Sequence, residues 1–325
     1  MVSFFYYNKY MEYYSLNQYL KDTYGKKVYK LAIDAGFSCP NRDGSIGHGG
    51  CIFCSGMGSG DFAGNRSTSI AAQIAEGKAK VEAKMPSALQ TGDTANTLAG
   101  SYIAYFQAYT NTYAPVDVLR SRYMEAINHP DIVGLAIATR PDCLDDHVLE
   151  LIDEINHIKP VWIELGLQTI HLATATYIRR GYELSVYDDA VARLSALGIH
   201  IVTHVILGLP GEDRDMMLSS VKHVASLAKS LANPDIPHQF GIKLQLLHVI
   251  EGTDLATDYK AGLFDTLTLE EYTDIVVSCL KELPPDMVVH RITGDGAKKT
   301  LLAPLWSADK KRVLNTLNKA IRDAK

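Results

Sequence analysis

A regular alternation of short apolar segments with segments of helical period constrains the fold of this chain more than any other feature. The apolar segments are rich in Val, Ile and Leu with little alternation, which is typical of strands buried on both faces of a sheet. Repeated strand–helix units form right-handed crossovers and a parallel sheet. The predicted strands are VYKLAIDAG (28–36), GSYIAYFQ (100–107), IVGLAIATR (132–140), VWIELGLQT (161–169), HIVTHVILGLP (200–210), FGIKLQLLHVI (240–250) and MVVHRIT (287–293).

Helical patterns lie between these strands, and the length of 325 residues suits one barrel domain. We predict an α/β fold, a partial TIM barrel of (βα)6 type with parallel strands plus N- and C-terminal extensions. Its single domain spans 1–325, with a core of about 28–250 and a C-terminal extension of about 251–325. The predicted helices are 67–85, 145–158, 185–197, 212–231 and 268–283, the last starting with a Thr268–Glu271 capping box.

Polar residues collect at the C-terminal ends of the predicted strands, which is the edge where parallel α/β barrels carry their chemistry. A cysteine-containing loop follows the first of these strands. We therefore expect the functional site at this edge. The polar residues at or near strand ends are Gln107, Thr139, Arg140, Gln168, His248, His290 and Arg291.

Three of the five cysteines, Cys39, Cys51 and Cys54, fall in this glycine-rich loop. One interpretation is a zinc site with a fourth ligand from elsewhere. A second is a redox pair of Cys51 and Cys54, and a third is an iron–sulfur cluster with one iron open to a substrate or cofactor atom. The spacing leaves these alternatives open. The candidates for a fourth ligand are His48, Cys143 and Cys279, although Cys143 and Cys279 also fit buried packing positions.

The N-terminus lacks the basic start and apolar core of a signal peptide, and no apolar run approaches the roughly 20 residues that span a bilayer. We expect a cytoplasmic protein with no membrane partner. Thiols stay reduced in the cytoplasm, so clustered cysteines indicate metal binding or catalysis rather than disulfides.

The chain carries a formal net charge of −5, but its ends are basic. Residues 1–30 have a net charge of +3 and residues 296–325 a net charge of +6. The overall charge argues against a general nucleic-acid binder, whereas basic ends fit local contact with phosphate. The alternative is an amphipathic C-terminal helix whose charged face is only solvated.

The sequence resembles the radical S-adenosylmethionine enzymes, and among them the YtqA/YhcC subfamily, from about residue 25 to the C-terminus. The gap between the first two cysteines is wider than the usual three residues, as it also is in the Elongator catalytic subunit and its relatives. The shared motifs are CPNRDG…GGCIFC, YFQAYTNTYAP, ATRPDCL, ELGLQT, RRGY, HVILGLPGE, KLQLLHVIEGT, HRITGDG and APLWSADK.

The resemblance implies that Cys39, Cys51 and Cys54 hold a 4Fe–4S cluster whose open iron binds S-adenosylmethionine. Reductive cleavage of that cofactor yields a 5′-deoxyadenosyl radical, with flavodoxin or ferredoxin as electron donor. Phe53 would lie near the adenine, and Gln107 would replace the acidic residue that receives the methionine ammonium. The other implied cofactor contacts are Thr139, Arg140, Glu164, Gln168, Arg180, Gly208, His248 and Val249.

The resemblance also implies a tRNA substrate, since the YtqA-type relatives include an enzyme that converts the wobble nucleoside 5-carboxymethylaminomethyluridine to 5-aminomethyluridine. A cation should then bind the substrate carboxylate, with Arg291, Arg140 and Lys243 as unranked candidates. Alternatives are a radical enzyme acting on a small metabolite or protein, and a non-enzymatic zinc or redox module. The substrate candidates are His290, Arg291, Asp295 and Lys243, and the tRNA-contact candidates are Lys310, Lys311 and Arg312.

Overall fold

The computed structural model describes residues 13–58, 60–84, 100–294, 296 and 298–324. Asp295, a predicted substrate contact, lies outside the described residues. The strands are β1 (Tyr14–Ser15), β2 (Tyr29–Ile33), β3 (Tyr102–Phe106), β4 (Ile132–Thr139), β5 (Val161–Gln168), β6 (His200–Leu207), β7 (Phe240–Leu246), β8 (Val249–Ile250), β9 (Val288–Arg291) and β10 (Leu301–Ala303).

Eight of these strands form one parallel sheet in the order β1, β9, β7, β6, β5, β4, β3, β2. The six strands β2 to β7 are the units of the predicted partial barrel, and β9 and β1 extend the sheet beyond β7. The curled parallel sheet confirms the predicted fold class. Strands β8 and β10 form a separate antiparallel ribbon at the C-terminal side of β7.

The predicted helices are present, and the capping box is formed as expected: Thr268 accepts from the Glu271 N–H, and Glu271 accepts from the Thr268 N–H. Four of the described helices were not predicted from the sequence, namely those at 16–24, 116–127, 172–177 and 254–260. The helix at 116–127 starts without a side-chain cap. The helices are α1 (Leu16–Tyr24), α2 (Ile70–Glu82), α3 (Val116–Ile127), α4 (Asp146–Asn156), α5 (Leu172–Tyr177), α6 (Leu184–Ala196), α7 (Arg214–Leu231), α8 (Asp254–Lys260), α9 (Leu269–Glu282) and α10 (Lys310–Asp323).

Among the residues that the structure describes, apolar side chains fill the N-terminal end of the barrel interior, whereas the C-terminal end carries a cavity. The largest core lies between the outer face of the sheet and the surrounding helices. A second core joins Tyr19 and Leu20 of α1 to interior side chains from the N-terminal halves of the strands, such as Trp162 and Val288. Helix α1 therefore closes the N-terminal end of the barrel, and the C-terminal end is the accessible one. None of the described helices combines the length and apolar composition needed to cross a membrane.

Candidate functional site

The three loop cysteines border one cavity of about 190 Å³ at the C-terminal ends of the core strands. We call this cavity the first chamber. Cys39, Cys51 and Cys54 are all partly exposed, whereas Cys279 is buried in the core, as predicted. Cys143 is not among the lining residues, and burial raises the pKa of its thiol to about 12. The structure therefore brings together the three cysteines that the spacing singled out.

Ile52, the first of the two residues between Cys51 and Cys54, fixes the loop to the barrel. The Ile52 N–H donates to the Ile178 carbonyl oxygen at 3.2 Å, and the Leu255 N–H donates to the Ile52 carbonyl oxygen at 2.9 Å. The Ile52 side chain is buried in a third apolar cluster that also contains Ile206 and Val249. Two backbone hydrogen bonds and this apolar cluster thus hold Cys51 and Cys54 in place.

Asn41 ties the first half of the loop to the same region. Its side-chain nitrogen Nδ2 donates to the Arg179 carbonyl oxygen at 2.6 Å and lies 3.5 Å from the Cys51 sulfur. Asn41 is buried, and Arg179 is held in turn by an ion pair with Asp254 at 2.5 Å. N–H donors directed at a thiolate are among the groups that tune a metal–sulfur centre.

Cys39, Cys51 and Cys54 form a thiol donor set that fits an iron–sulfur cluster with one open iron. A zinc ion draws its thiolates within about 2.3 Å of one point. In an iron–sulfur cluster each cysteine binds a different iron, so the three thiols lie around the edge of a larger group. A loop with three thiols facing one cavity meets that requirement.

Two buried arginines stack on one ring beside the cysteines. The guanidinium groups of Arg140 and Arg180 lie 5.0 and 4.7 Å from the centroid of Tyr182. Arg140 donates through two nitrogens to Asp142, at 2.9 and 2.8 Å, and through a third to the Arg180 carbonyl oxygen. Within the described residues, Arg180 donates only to main-chain carbonyl oxygens, those of Leu167, Thr169 and Tyr182. Arg140 therefore already has a carboxylate partner, Asp142.

The predicted cofactor contacts divide into two groups. Gly208 and Val249 lie away from the first chamber: Gly208 turns the chain with φ +90°, and Val249 is fully buried in the third apolar cluster. His248 borders a neighbouring cavity and bonds Ser307 through Nε2 at 3.0 Å. The predicted contacts that line the first chamber are Phe53, Gln107, Thr139, Arg140, Glu164, Gln168 and Arg180.

Glu164 is the centre of a buried charge network inside the barrel. Its Oε1 accepts from Lys30 Nζ at 2.6 Å, and its Oε2 accepts from Lys243 Nζ and lies 2.9 Å from His204 Nε2. Burial alone would raise the pKa of Glu164, but Lys243, Lys30 and His204 together lower it well below its usual range. Glu164 is therefore ionised, and its oxygens are occupied by protein partners.

A second cavity of about 380 Å³ adjoins the first, and we call it the second chamber. Phe53, Tyr105 and Gln107 line both chambers, so these side chains stand at the boundary between them. The predicted substrate residues Lys243 and Arg291 also line both. Other polar and charged residues of the second chamber are Lys30, Ser55, Asp61, Gln245, His248 and His290.

The site residues that were not predicted from the sequence are Lys30, Asn41, Tyr182 and His204. Lys30 and His204 carried a usable signal, since each places an ionisable side chain inside an apolar strand segment, where it must find a partner. Asn41 and Tyr182 lie in loops, and no local pattern marks their contacts.

A partial barrel with three cysteines in the loop after its first core strand defines the class of radical S-adenosylmethionine enzymes. The sequence profile described as Radical SAM superfamily matches residues 44–224, and that of the Radical_SAM C-terminal domain matches residues 240–323. The chain belongs to this superfamily, whose cofactors are a 4Fe–4S cluster and S-adenosylmethionine.

Along nearly its whole length the chain is similar to the uncharacterized protein YtqA of Bacillus subtilis (strain 168). The two are 43% identical over 318 residues, which cover 98% of this chain and 92% of YtqA. A tRNA uridine(34) acetyltransferase of Methanocaldococcus jannaschii is 28% identical over 181 residues, covering 53% of this chain and 32% of that protein. The archaeal Elp3 structure of Methanocaldococcus infernus shares the fold, with a TM-score of 0.61 at 16% identity over 90% of this chain and 63% of that one.

Proposed function

We propose that this protein is a tRNA-modifying radical S-adenosylmethionine enzyme that converts wobble 5-carboxymethylaminomethyluridine to 5-aminomethyluridine. The observation that carries the proposal is the direct contact between the cysteine-bordered first chamber and a second chamber lined by Lys30, Lys243 and Arg291. The similarity to a tRNA uridine(34) acetyltransferase supports a tRNA substrate. A wobble base is single-stranded in the anticodon loop, so it can be turned into a cavity of this size.

The bound cofactors would supply a primary carbon radical that removes a hydrogen atom from an unactivated C–H bond. The chain itself would hold the cofactors and orient them toward the substrate. Cys39, Cys51 and Cys54 would ligate the cluster, and the Arg180 guanidinium beside them would attract the methionine carboxylate. Phe53, which lines both chambers, would separate the cofactor from the substrate. A flavodoxin or ferredoxin is the proposed electron donor.

Deletion of the gene is expected to leave 5-carboxymethylaminomethyluridine in tRNA where 5-aminomethyluridine or its derivatives are otherwise found. The measurement is nucleoside analysis of bulk tRNA by mass spectrometry, with re-expression of the wild-type chain as the control. An unchanged nucleoside profile in the deletion strain would contradict the proposal that tRNA is the substrate. It would favour a small metabolite or a protein as the substrate of the same radical chemistry.

The N-terminal end of α10 is the proposed phosphate contact. Lys310, Lys311 and Arg312 are exposed, and they follow directly on the segment whose Ser307 bonds His248 at the second chamber. The opposite side of α10 is anchored by buried apolar residues, so the basic residues face outwards. The basic patch therefore lies next to the chamber that would receive the base.

Replacing Lys310, Lys311 and Arg312 together by glutamine is expected to weaken tRNA binding at low salt. Each lost phosphate contact should reduce the slope of log affinity against log salt by roughly 0.7–0.9. Stability should hardly change, since exposed charges contribute only tenths of a kcal/mol. The readout is tRNA affinity measured across a salt series, together with a thermal melt.

A matched control neutralises Lys80, Lys222 and Lys229, which are exposed on the outer helices α2 and α7. This control removes the same number of positive charges as the α10 variant, but at positions away from the two chambers. Equal affinities for the two triple variants would show that α10 makes no specific contact with tRNA.

A further inference from the structure

Arg42 lies across the loop segment that carries the paired cysteines Cys51 and Cys54. Its Nη2 donates to the Ser55 carbonyl oxygen at 2.6 Å and to the Cys54 carbonyl oxygen at 3.3 Å. At the other end of the pair, a Cβ atom on Gly50 would lie 2.8 Å from Arg42 Nε and 3.3 Å from its Cζ. The guanidinium therefore contacts the backbone both directly before Cys51 and at Cys54.

A glycine at position 50 permits this close approach. Gly50 has φ +85°, in the left-handed region that favours glycine, and a side chain there would meet Arg42. Arg42 also lines the first chamber together with Cys39, Cys51 and Cys54. The loop thus places a cation at the border of the cavity that the three thiols share.

The ring of Tyr109 supports the Arg42 guanidinium, whose central carbon lies 5.6 Å from the ring centroid. The Tyr109 N–H donates to the Gly58 carbonyl oxygen at 2.8 Å, and its hydroxyl donates to the Gly56 carbonyl oxygen at 2.7 Å. Tyr109 has φ +62°, a costly conformation for a residue other than glycine, and these two hydrogen bonds hold it there. The ring that carries Arg42 is therefore fixed to the same cysteine loop.

Arg66 provides a comparison within the same structure. Its guanidinium lies 5.1 Å from the centroid of the same Tyr109 ring. Its polar contacts in the described part of the chain are the Phe37 carbonyl oxygen at 3.0 Å and the Asp34 carboxylate at 3.4 Å. Arg66 is not among the described residues that line the two chambers. Of the two arginines on this ring, Arg42 is the one that borders the cysteine cavity.

A fixed cation beside an iron–sulfur cluster favours the reduced state of that cluster. A 4Fe–4S cluster held by three thiolates is anionic, and reduction adds a further negative charge. Net charge and nearby hydrogen bonds are among the factors that set the reduction potential of such clusters. A guanidinium keeps its charge throughout the physiological pH range, so its effect is permanent.

We propose that Arg42 raises the reduction potential of the cluster that Cys39, Cys51 and Cys54 hold. The inference follows from the cluster of the superfamily and is independent of the tRNA substrate. The positive charge beside the paired cysteines stabilises the reduced cluster. A donor of the flavodoxin or ferredoxin type would then reduce a larger fraction of the enzyme at the same donor potential.

The test is a redox titration of the full chain reconstituted with its cluster, followed by the EPR signal of the reduced state. At a given potential, Arg42→Gln is expected to lower the ratio of reduced to oxidised cluster about tenfold, equivalent to about 59 mV for one electron. Arg42→Lys should keep most of the wild-type ratio because it keeps the charge. Arg66→Gln is the matched control: it removes a cation from the same ring and should titrate as the wild type does.

The titration is run with and without S-adenosylmethionine. A wild-type potential in Arg42→Gln, or an equal shift in Arg66→Gln, would overturn the proposal. A shift that occurs only with S-adenosylmethionine bound would also overturn it, because Arg42 would then act on that cofactor and not on the cluster.

Arg42→Met provides a second neutral variant if Arg42→Gln does not assemble a cluster, since methionine keeps an apolar contact with the Tyr109 ring. If neither neutral variant binds iron and Arg42→Lys does, iron content carries the same comparison of charged with neutral side chains and supports the proposal. If Arg42→Lys also binds no iron, Arg42 has a structural role and the proposal fails.

The redox measurement and the nucleoside measurement fail separately, because the titration contains no tRNA. If Arg42→Gln shifts the potential but tRNA from the deletion strain is unchanged, the role of Arg42 stands and the tRNA assignment falls. If that tRNA accumulates the carboxymethylaminomethyl nucleoside while Arg42→Gln titrates as the wild type, the proposed function stands and the role of Arg42 falls.

Discussion

Replacing Cys39, Cys51 or Cys54 by alanine is expected to abolish both cluster assembly and cleavage of S-adenosylmethionine. The three thiols border the same chamber, and a cluster that already leaves one iron open has no spare protein ligand. The measurements are iron and sulfide content after anaerobic reconstitution, the visible absorption of the cluster, and formation of 5′-deoxyadenosine. Each single variant should lose all three signals.

The remaining cysteines provide the controls for this experiment. Cys279→Ala removes a thiol from the core beneath α9, and Cys143→Ala removes the half-buried thiol near Asp142. Both variants should bind iron and cleave the cofactor as the wild type does. A Cys143→Ala chain without iron, beside a Cys39→Ala chain that keeps it, would show that the ligand set is wrong.

Glu164→Gln is expected to destabilise the cofactor-free chain by about 3–5 kcal/mol. Removing one partner of a buried ion pair leaves the other charge uncompensated. Here two lysines depend on the same carboxylate: Lys30, whose side chain is 17% exposed, and Lys243, whose side chain is 6% exposed. The measurement is the free energy of unfolding from urea denaturation at neutral pH. A loss below about 1 kcal/mol would show that the lysines find other compensation.

Glu154→Gln is the matched control, because Glu154 forms an exposed ion pair with Arg120. Exposed pairs contribute at most about 1 kcal/mol, so this variant should unfold almost as the wild type does.

The pH dependence of stability supplies a second readout for Glu164. Its pKa in the folded chain lies well below its ordinary value, so its contribution is present at neutral pH and is lost as pH falls through the folded pKa. The stability difference between wild type and Glu164→Gln should therefore shrink on acidification. A constant difference down to strongly acidic pH would contradict the ionised state of Glu164.

The order of the elements and the cysteine loop were readable from the sequence because their signals are local. Continuous Val, Ile and Leu runs marked the six strands β2 to β7, each within a few residues of its observed bounds. Caps and apolar periodicity marked α2, α4, α6, α7 and α9, whereas the uncapped α3 and the shorter helices α1, α5 and α8 were missed. The three cysteines lie within sixteen positions of one loop, so their proximity did not depend on the fold.

The tertiary structure decided what the charged residues do. Lys30, Glu164, His204 and Lys243 come from four different strands, and their contacts exist only because the sheet curls and turns these positions inwards. Their charge balance and shifted pKa values depend on burial and on distances between remote parts of the chain. Sequence position alone could therefore show that charges occur in apolar strands, but not that two lysines share one buried carboxylate.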